Sequence, residues 1–74
     1  MPKLYSARQI LKAFKRAEFY KISQKGSHIK LRGIWNGKLQ TVIVPEHKEL
    51  APGTFGSMLK QADMTKEEFE RFVK

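Results

Sequence analysis

Residues 28–44, HIKLRGIWNGKLQTVIV, decide the fold of this chain. The dipeptide Asn36-Gly37 lies near the centre of this stretch. A two-residue type I′ hairpin turn requires positive φ at both of its positions, and Asn-Gly tolerates that conformation best. We therefore predict one strand over 28–35 and a second from 38 to about 44, with Trp35 opposite Lys38.

The register of this hairpin assigns each side chain to one of two faces, because alternate residues of a strand point to opposite sides. The apolar face is the predicted core and carries Ile29, Leu31, Val42 and Val44. The other face carries His28, Lys30, Arg32, Thr41 and Ile43. The pattern thus predicts one imidazole and two cations in a row on the non-core face of a single strand.

A helix and a strand are predicted before the hairpin. Ser6 and Gln9 have the spacing of a capping box, and apolar residues follow at helical intervals, so the helix should end near Ala17 or Glu18. The stretch FYKISQ, residues 19–24, is rich in aromatic and β-branched residues. It predicts a short strand that stops at a flexible turn, Lys25-Gly26-Ser27.

Two helices are predicted after the hairpin. Pro45 should end the third strand, since proline cannot donate to a ladder, and a polar connection leads to a helix that starts around Gly53-Thr54. Thr65 with Glu68 forms a second capping box, which predicts a short terminal helix. The order α-β-β-β-α-α indicates an α+β fold in which helices cover one face of a three-stranded antiparallel sheet.

Length and composition limit the class of protein. Seventy-four residues predict a single domain over 1–74, and the chain has no cysteine, so we expect neither a disulfide framework nor a thiolate metal site. Apolar runs such as Val42 to Val44 are far shorter than the roughly 20 residues of a membrane span. Met1 to Ser6 also lacks the apolar core of a signal peptide. We expect a cytoplasmic protein that does not enter a membrane.

The basic residues are unevenly placed. Fifteen Lys and Arg against seven Asp and Glu give a net charge of +8. Residues 1–44 hold ten basic side chains and one acidic one, Glu18, a net +9, whereas residues 45–74 have a net charge of −1. This asymmetry favours one face that binds a polyanion, although a generally solvated basic surface is the plainer interpretation.

Most catalytic chemistries lack the residues that they need. Glu46, His47 and Glu49 could hold a metal ion, but polar loops commonly have this composition. There is no G-x-S-x-G elbow, no Walker pattern and no acid placed to orient a histidine. Residues 53–56 match the GXXG of KH domains in letters only, because they follow a strand rather than joining two helices.

His28 is the strongest candidate for acid–base catalysis. A lone histidine is usually structural or merely exposed, but this one follows a flexible turn and shares a strand face with Lys30 and Arg32. A phosphate held by these cations would lie within reach of the imidazole. RNA supplies its own nucleophile, the 2′-hydroxyl, so a base and fixed cations suffice in principle for a metal-free ribonuclease.

Two stretches, QKGSHIKLR (residues 24–32) and TVIVPEHKELAPGTFGSMLKQADMTKEEF (residues 41–69), resemble the HicA family, the small mRNA-cleaving toxins of type II toxin–antitoxin modules. The resemblance covers nearly the whole chain. Its most specific residues are Gly26, Ser27 and His28, then Val44, Pro45 and His47, then Gly53 and Thr54 leading to Leu59, Lys60, Gln61 and Ala62.

The resemblance implies a fold similar to the double-stranded-RNA-binding domain, mRNA cleavage without a metal or other cofactor, and inhibition by a HicB-type antitoxin protein. It implies that His28 is the catalytic residue. We expect RNA to be bound around it, by Lys25, Gly26, Ser27, Lys30 and Arg32.

Two positions depart from the family pattern: Gly56 stands where a basic residue is frequent, and Asp63 where a glycine is frequent. The second replaces a helix C-cap glycine with a residue that tolerates the left-handed conformation less well. Two alternatives stay open beside a toxin-like ribonuclease. One is a non-catalytic RNA-binding module, and the other is a protein-binding adaptor that uses Ile34, Trp35, Leu39 and Ile43.

Overall fold

The structure, a computed structural model, describes residues 4–73, so residues 1–3 of the segment 1–6 considered above lie outside the described part. The elements are α1 (Ala7–Arg16), β1 (Tyr20–Lys25), β2 (His28–Trp35), β3 (Lys38–Pro45), α2 (Pro52–Ala62) and α3 (Lys66–Val73). The strands form one antiparallel sheet in the order β1-β2-β3. The predicted α+β class and element order are confirmed.

The β2–β3 hairpin has the predicted register. Asn36 and Gly37 have φ of 54° and 74°, as a type I′ turn requires, and Trp35 pairs with Lys38. The predicted core face is buried: Ile29, Leu31, Val42 and Val44 are all at most 3% exposed. A local turn signal therefore fixed a long-range arrangement.

Strand β1 runs from Tyr20 to Lys25, one residue later at each end than the predicted 19–24. Phe19 is not in the strand because the end of α1 holds it: its N–H donates to the carbonyl of Phe14 at 2.8 Å, and its ring packs on Phe14. The turn to β2 contains only Gly26 and Ser27, since Lys25 already pairs with His28. The register of β1 shifts by one residue at Ile22, which is a β-bulge.

Helices α1 and α2 end in the same way, with an acidic residue in the left-handed region. Glu18 has φ 67° and Asp63 has φ 56°. In each case the N–H of the next residue reaches back to the last turn, from Phe19 to Phe14 and from Met64 to Leu59. This is the Schellman motif, in which glycine is usual at the left-handed position.

Both predicted capping boxes are present. The Ser6 hydroxyl accepts from the Gln9 N–H at 3.1 Å, and the Thr65 hydroxyl accepts from the Glu68 N–H at 3.1 Å. Helix α2 begins at Pro52, slightly before the predicted 53–54, because proline suits the first helical position. Met64, next to the second box, is 6% exposed, as expected for a hydrophobic staple.

The helices and the sheet enclose a core rich in aromatic rings. Phe69 of α3 lies at its centre and packs edge-on against Tyr5, Phe14 and Phe55, with centroid distances of 5.1 to 5.6 Å. Gly33 of β2 lies under Phe19 so closely that a Cβ atom would be 2.7 Å from the Phe19 Cγ. At the outer edge of β3, the Gln61 side chain of α2 accepts the Ile43 N–H at 2.8 Å.

Candidate nucleic-acid interface

One face of the sheet, which we call the open face, carries none of the buried side chains. The strand pairing puts on it the residues that alternate with the core positions of β2 and their partners on β1 and β3. None of these residues is buried. They are Tyr20, Ser23 and Lys25 of β1, His28, Lys30, Arg32 and Ile34 of β2, and Leu39, Thr41, Ile43 and Pro45 of β3.

The predicted row of His28, Lys30 and Arg32 lies on this open face. His28 and Arg32 are exposed and Lys30 is half-buried. Neighbours on one face of a strand are about 7 Å apart, so the three groups form a regularly spaced line. The Arg32 Nε donates to the Thr41 hydroxyl at 3.3 Å, which steadies the guanidinium beside the strand.

The pairing of β1 with β2 extends this basic row. Lys25 lies opposite His28, and Tyr20 lies opposite Arg32. The open face therefore has three cations, one imidazole and one tyrosine at its β1–β2 side. The segment from Tyr20 to Pro45 contains no Asp or Glu, so no carboxylate of the sheet neutralises these cations.

The turn before His28 is held in place by its neighbours. Gly26 has φ 59°, and positive φ at the first turn position alone is the pattern of a type II′ hairpin turn. The Ser27 carbonyl accepts from the Glu46 N–H at 2.6 Å. The Gln24 Nε2 donates to the Gly26 carbonyl at 3.0 Å and to Glu46 Oε1 at 3.3 Å. The turn predicted to be flexible is thus bonded to β1 and to the end of β3.

The His28 imidazole makes no hydrogen bond with any residue of 4–73. The carboxylate of Glu46 is engaged by Gln24 near the same turn. By strand alternation Gln24 points to the face opposite that of His28. Within residues 4–73, the structure therefore shows no carboxylate that is bonded to the His28 imidazole.

His47 lies in the connection after β3 and makes a structural contact with its backbone. Its carbonyl accepts from the Ala7 N–H at 3.0 Å, which ties this connection to the start of α1. Its side chain is exposed. Among the described residues, no three His, Cys, Asp or Glu side chains are grouped to hold a metal ion, and this applies to Glu46, His47 and Glu49.

The two departures from the family pattern have clear structural settings. Asp63 occupies the left-handed C-cap of α2, and its carbonyl and Oδ2 accept from the Asn36 Nδ2 at 2.8 and 3.1 Å. Its carboxylate thus anchors the β2–β3 turn, a contact that glycine could not make. Gly56 lies in α2 with open space where a Cβ would stand.

Sequence reasoning missed the contributions of β1 to this face. The bulge at Ile22 decides the position of Tyr20, because without it Tyr20 would pair with Gly33 and point into the core. A bulge has no reliable signal in a single sequence. The clamp by Gln24 was missed for a simpler reason, since a glutamine before a glycine turn is compatible with many structures. The two-residue turn before His28, Gly26-Ser27, could have been recognised from the glycine at its first position.

The geometry defines a class of protein: a small α+β domain with the order α-β-β-β-α-α and a basic, carboxylate-free face on its three-stranded antiparallel sheet. A comparison with protein families matches residues 7–64 to the HicA toxin of bacterial toxin–antitoxin systems. The chain belongs to this family and is the toxin of a toxin–antitoxin system, which implies an antitoxin partner. A comparison with curated proteins found no match. None of the helices within residues 4–73 is long and apolar enough to cross a membrane.

Proposed function

We propose that the chain is an endoribonuclease that cleaves mRNA without a metal, with His28 as its acid–base group. The observation that carries this proposal is the position of His28: an exposed imidazole on a sheet face with Lys25, Lys30 and Arg32 and without a carboxylate. Such a face attracts a phosphodiester backbone and leaves the imidazole accessible to it.

The proposed reaction uses the RNA as its own nucleophile. The imidazole of His28 takes the proton of a 2′-hydroxyl, and the 2′-oxygen forms a bond to the adjacent phosphorus. The bond from phosphorus to the 5′-oxygen breaks, and that oxygen receives a proton from the imidazolium or from water. Lys30 and Arg32 stabilise the additional negative charge on the phosphoryl oxygens, and the bonded turn at Gly26 and Ser27 positions the backbone next to it.

His28→Ala tests this proposal, with His47→Ala as a matched control. Both substitutions remove an exposed imidazole, and both should change stability by no more than about 0.5 kcal/mol, as is typical of surface sites. Cleavage of RNA in the presence of a chelator should fall by about 10²–10⁴-fold for His28→Ala, because the acid–base group is lost. The His47→Ala protein should cleave at nearly the parent rate.

Several results would contradict the proposal. A His28→Ala protein that cuts RNA at the parent rate would remove the catalytic role, and one that does not fold would make His28 structural. Equal loss in the His47→Ala protein would refute a mechanism with one histidine. A substrate with a 2′-deoxy nucleotide at the cleaved position must resist the parent enzyme, since it lacks the nucleophile.

A non-catalytic RNA-binding module is the second candidate. It is favoured by the absence, within residues 4–73, of any group that orients the His28 imidazole. This candidate predicts RNA binding with a steep dependence on salt and no cleavage by the parent chain. The cleavage assay in chelator therefore separates the two candidates directly.

The antitoxin partner is proposed to be of the HicB type and to inhibit by covering His28, Lys30 and Arg32. An acidic surface would fit this face, because opposite charge guides the approach of the two proteins and the carboxylates replace the RNA phosphates. Exposed Ile34 and Leu39, on the same face near the Asn36-Gly37 turn, give such a partner apolar contact area. The exposed apolar residues that suggested a protein-binding adaptor are thus assigned to contact with the antitoxin.

A further inference from the structure

We infer that Tyr20 is a stacking platform for an RNA base and that the substrate strand runs along β1 and β2 of the open face, from His28 towards Arg32. The inference rests on the proposed function and adds the residue that positions the RNA beyond the cleaved phosphate. It concerns single-stranded RNA, because only unpaired bases present a free face for stacking.

The first argument is the bulge at Ile22. Between Lys25 and Ser23 the pairing with β2 is regular, and Ile22 then drops out of the register, so that Tyr20 pairs with Arg32. The bulge turns the tyrosine out of the core and onto the open face. Bulges of this kind re-aim side chains next to functional sites.

The second argument is the exposure of the ring. Tyr20 is 56% exposed, whereas the other tyrosine, Tyr5, is 6% exposed and packs against aromatic rings in the core. Because β1 is an edge strand of the sheet, this exposed surface of Tyr20 is available to a ligand. A cleft of about 500 Å³ lies between α1 and β1 on the helix side of the sheet, and Tyr20 borders it together with Leu11 and Lys15.

The third argument is the distance along the sheet. Tyr20 lies opposite Arg32, four residues along β2 from His28, which corresponds to about 13 Å of strand. Lys30 lies between them on the same face. A chain that places one phosphate at His28 would have its next phosphates near Lys30 and Arg32, and a base of a neighbouring nucleotide would reach Tyr20. Alternation of cations with an aromatic ring is the arrangement by which proteins hold single strands.

The positive charge of the open face favours RNA over a protein as the ligand that contacts Tyr20. The face around Tyr20 has Lys25, Lys30 and Arg32 and no acidic side chain from the sheet. A polyanion with flat aromatic groups matches both of its properties. An acidic protein would match the charge but would not require an exposed ring at this position.

Binding of a fluorescent single-stranded RNA of about 12 nucleotides, within the usual range of site sizes, tests the inference. All proteins carry His28→Ala, so that the RNA stays intact and the result does not depend on cleavage. Tyr20→Ala should weaken binding by about 5- to 150-fold, and Tyr20→Phe should bind like the parent, because the ring and not the hydroxyl is used. Leu4→Ala, which removes an exposed apolar side chain outside the sheet, is the control and should leave affinity unchanged.

A second experiment ties the ring to one base. An RNA series with a single abasic nucleotide at successive positions should show one position at which affinity falls for the Tyr20 protein but not for Tyr20→Ala. Equal affinities of Tyr20 and Tyr20→Ala would overturn the inference, as would equal losses in Tyr20→Ala and Tyr20→Phe. A larger loss of RNA affinity in Lys15→Ala than in Lys30→Ala would also overturn the inference, because it would put the RNA in the cleft beside α1. A His28→Ala protein that still cleaved RNA would refute the proposed catalysis; the same binding comparisons would then be made with a 2′-deoxy strand, which lacks the nucleophile, and would decide the role of Tyr20 separately.

Discussion

Replacement of Gly33 by alanine should destabilise the fold through a steric clash that can be read atom by atom. A Cβ at this position would lie 2.7 Å from Phe19 Cγ, 2.8 Å from the Glu18 carbonyl oxygen and 2.9 Å from Phe19 Cα. Two of these three atoms belong to the backbone, so a new side-chain rotamer of Phe19 cannot relieve the contact. Strand β2 and the turn after α1 must move apart.

Overpacking of this kind typically costs about 1–3 kcal/mol. For a domain of this size, each kcal/mol lowers the melting temperature by roughly 4–8 °C, so the loss is well within the range of a thermal melt. Urea unfolding followed by circular dichroism should give the same ranking. Amide chemical shifts should change around 18–20 and much less around His28, since the clash lies at the other end of β2.

Gly56→Ala is the matched control, because a Cβ there meets nothing within 4 Å and the residue is inside α2. It should stabilise the protein by about 0.5–1 kcal/mol, the helix propensity difference between glycine and alanine. A Gly33→Ala protein with the parent's unfolding midpoint, or one stabilised like Gly56→Ala, would refute the steric reasoning. The packing of Phe19 against β2 would then need another explanation.

Two further predictions concern the helix ends and the partner. Glu18→Gly should stabilise the fold by about 1 kcal/mol, because glycine adopts the left-handed conformation without strain. Asp63→Gly should stabilise the fold less, because it loses the hydrogen bond from the Asn36 side chain to the Asp63 carboxylate. Urea midpoints that rank the two variants the other way would contradict this. In complex with a HicB-type antitoxin, the strand amides of Lys30 and Arg32 should exchange more slowly with solvent and His28 should react less with diethyl pyrocarbonate. Unchanged protection would mean that inhibition acts elsewhere.

The parts of the fold that could be predicted from sequence are those fixed by short-range signals. Asn36-Gly37 determined the β2–β3 register and hence the two faces, and the serine and threonine caps marked the starts of α1 and α3. The register of strand β1 was harder to predict, because it depends on a bulge and the side chains of β1 are exposed on both faces. Glu18 in the left-handed region was also unexpected, since glycine usually occupies that position.

For the candidate site, the sequence predicted the row of His28, Lys30 and Arg32 on the face away from the core, and the structure has this arrangement. It did not reveal Tyr20 on the same face or the bonds from Gln24 and Glu46 that hold the turn. These contacts join residues up to 22 positions apart, and they depend on how β1 and the end of β3 meet. Whether His28 catalyses cleavage stays a prediction.

The bond from the Ile43 N–H to Gln61 has a consequence for the handling of the protein when it is separated from its antitoxin. Free sheet edges are sites at which protein chains aggregate, and small domains have few ways to cover them. Here a helix side chain occupies the β3 edge, while the β1 edge is interrupted by a bulge and carries Lys21 and Lys25. One N–H of the β3 edge is thus already bonded and the β1 edge is bent and charged, so each edge is a poorer template for a strand from another molecule than a regular uncovered strand would be.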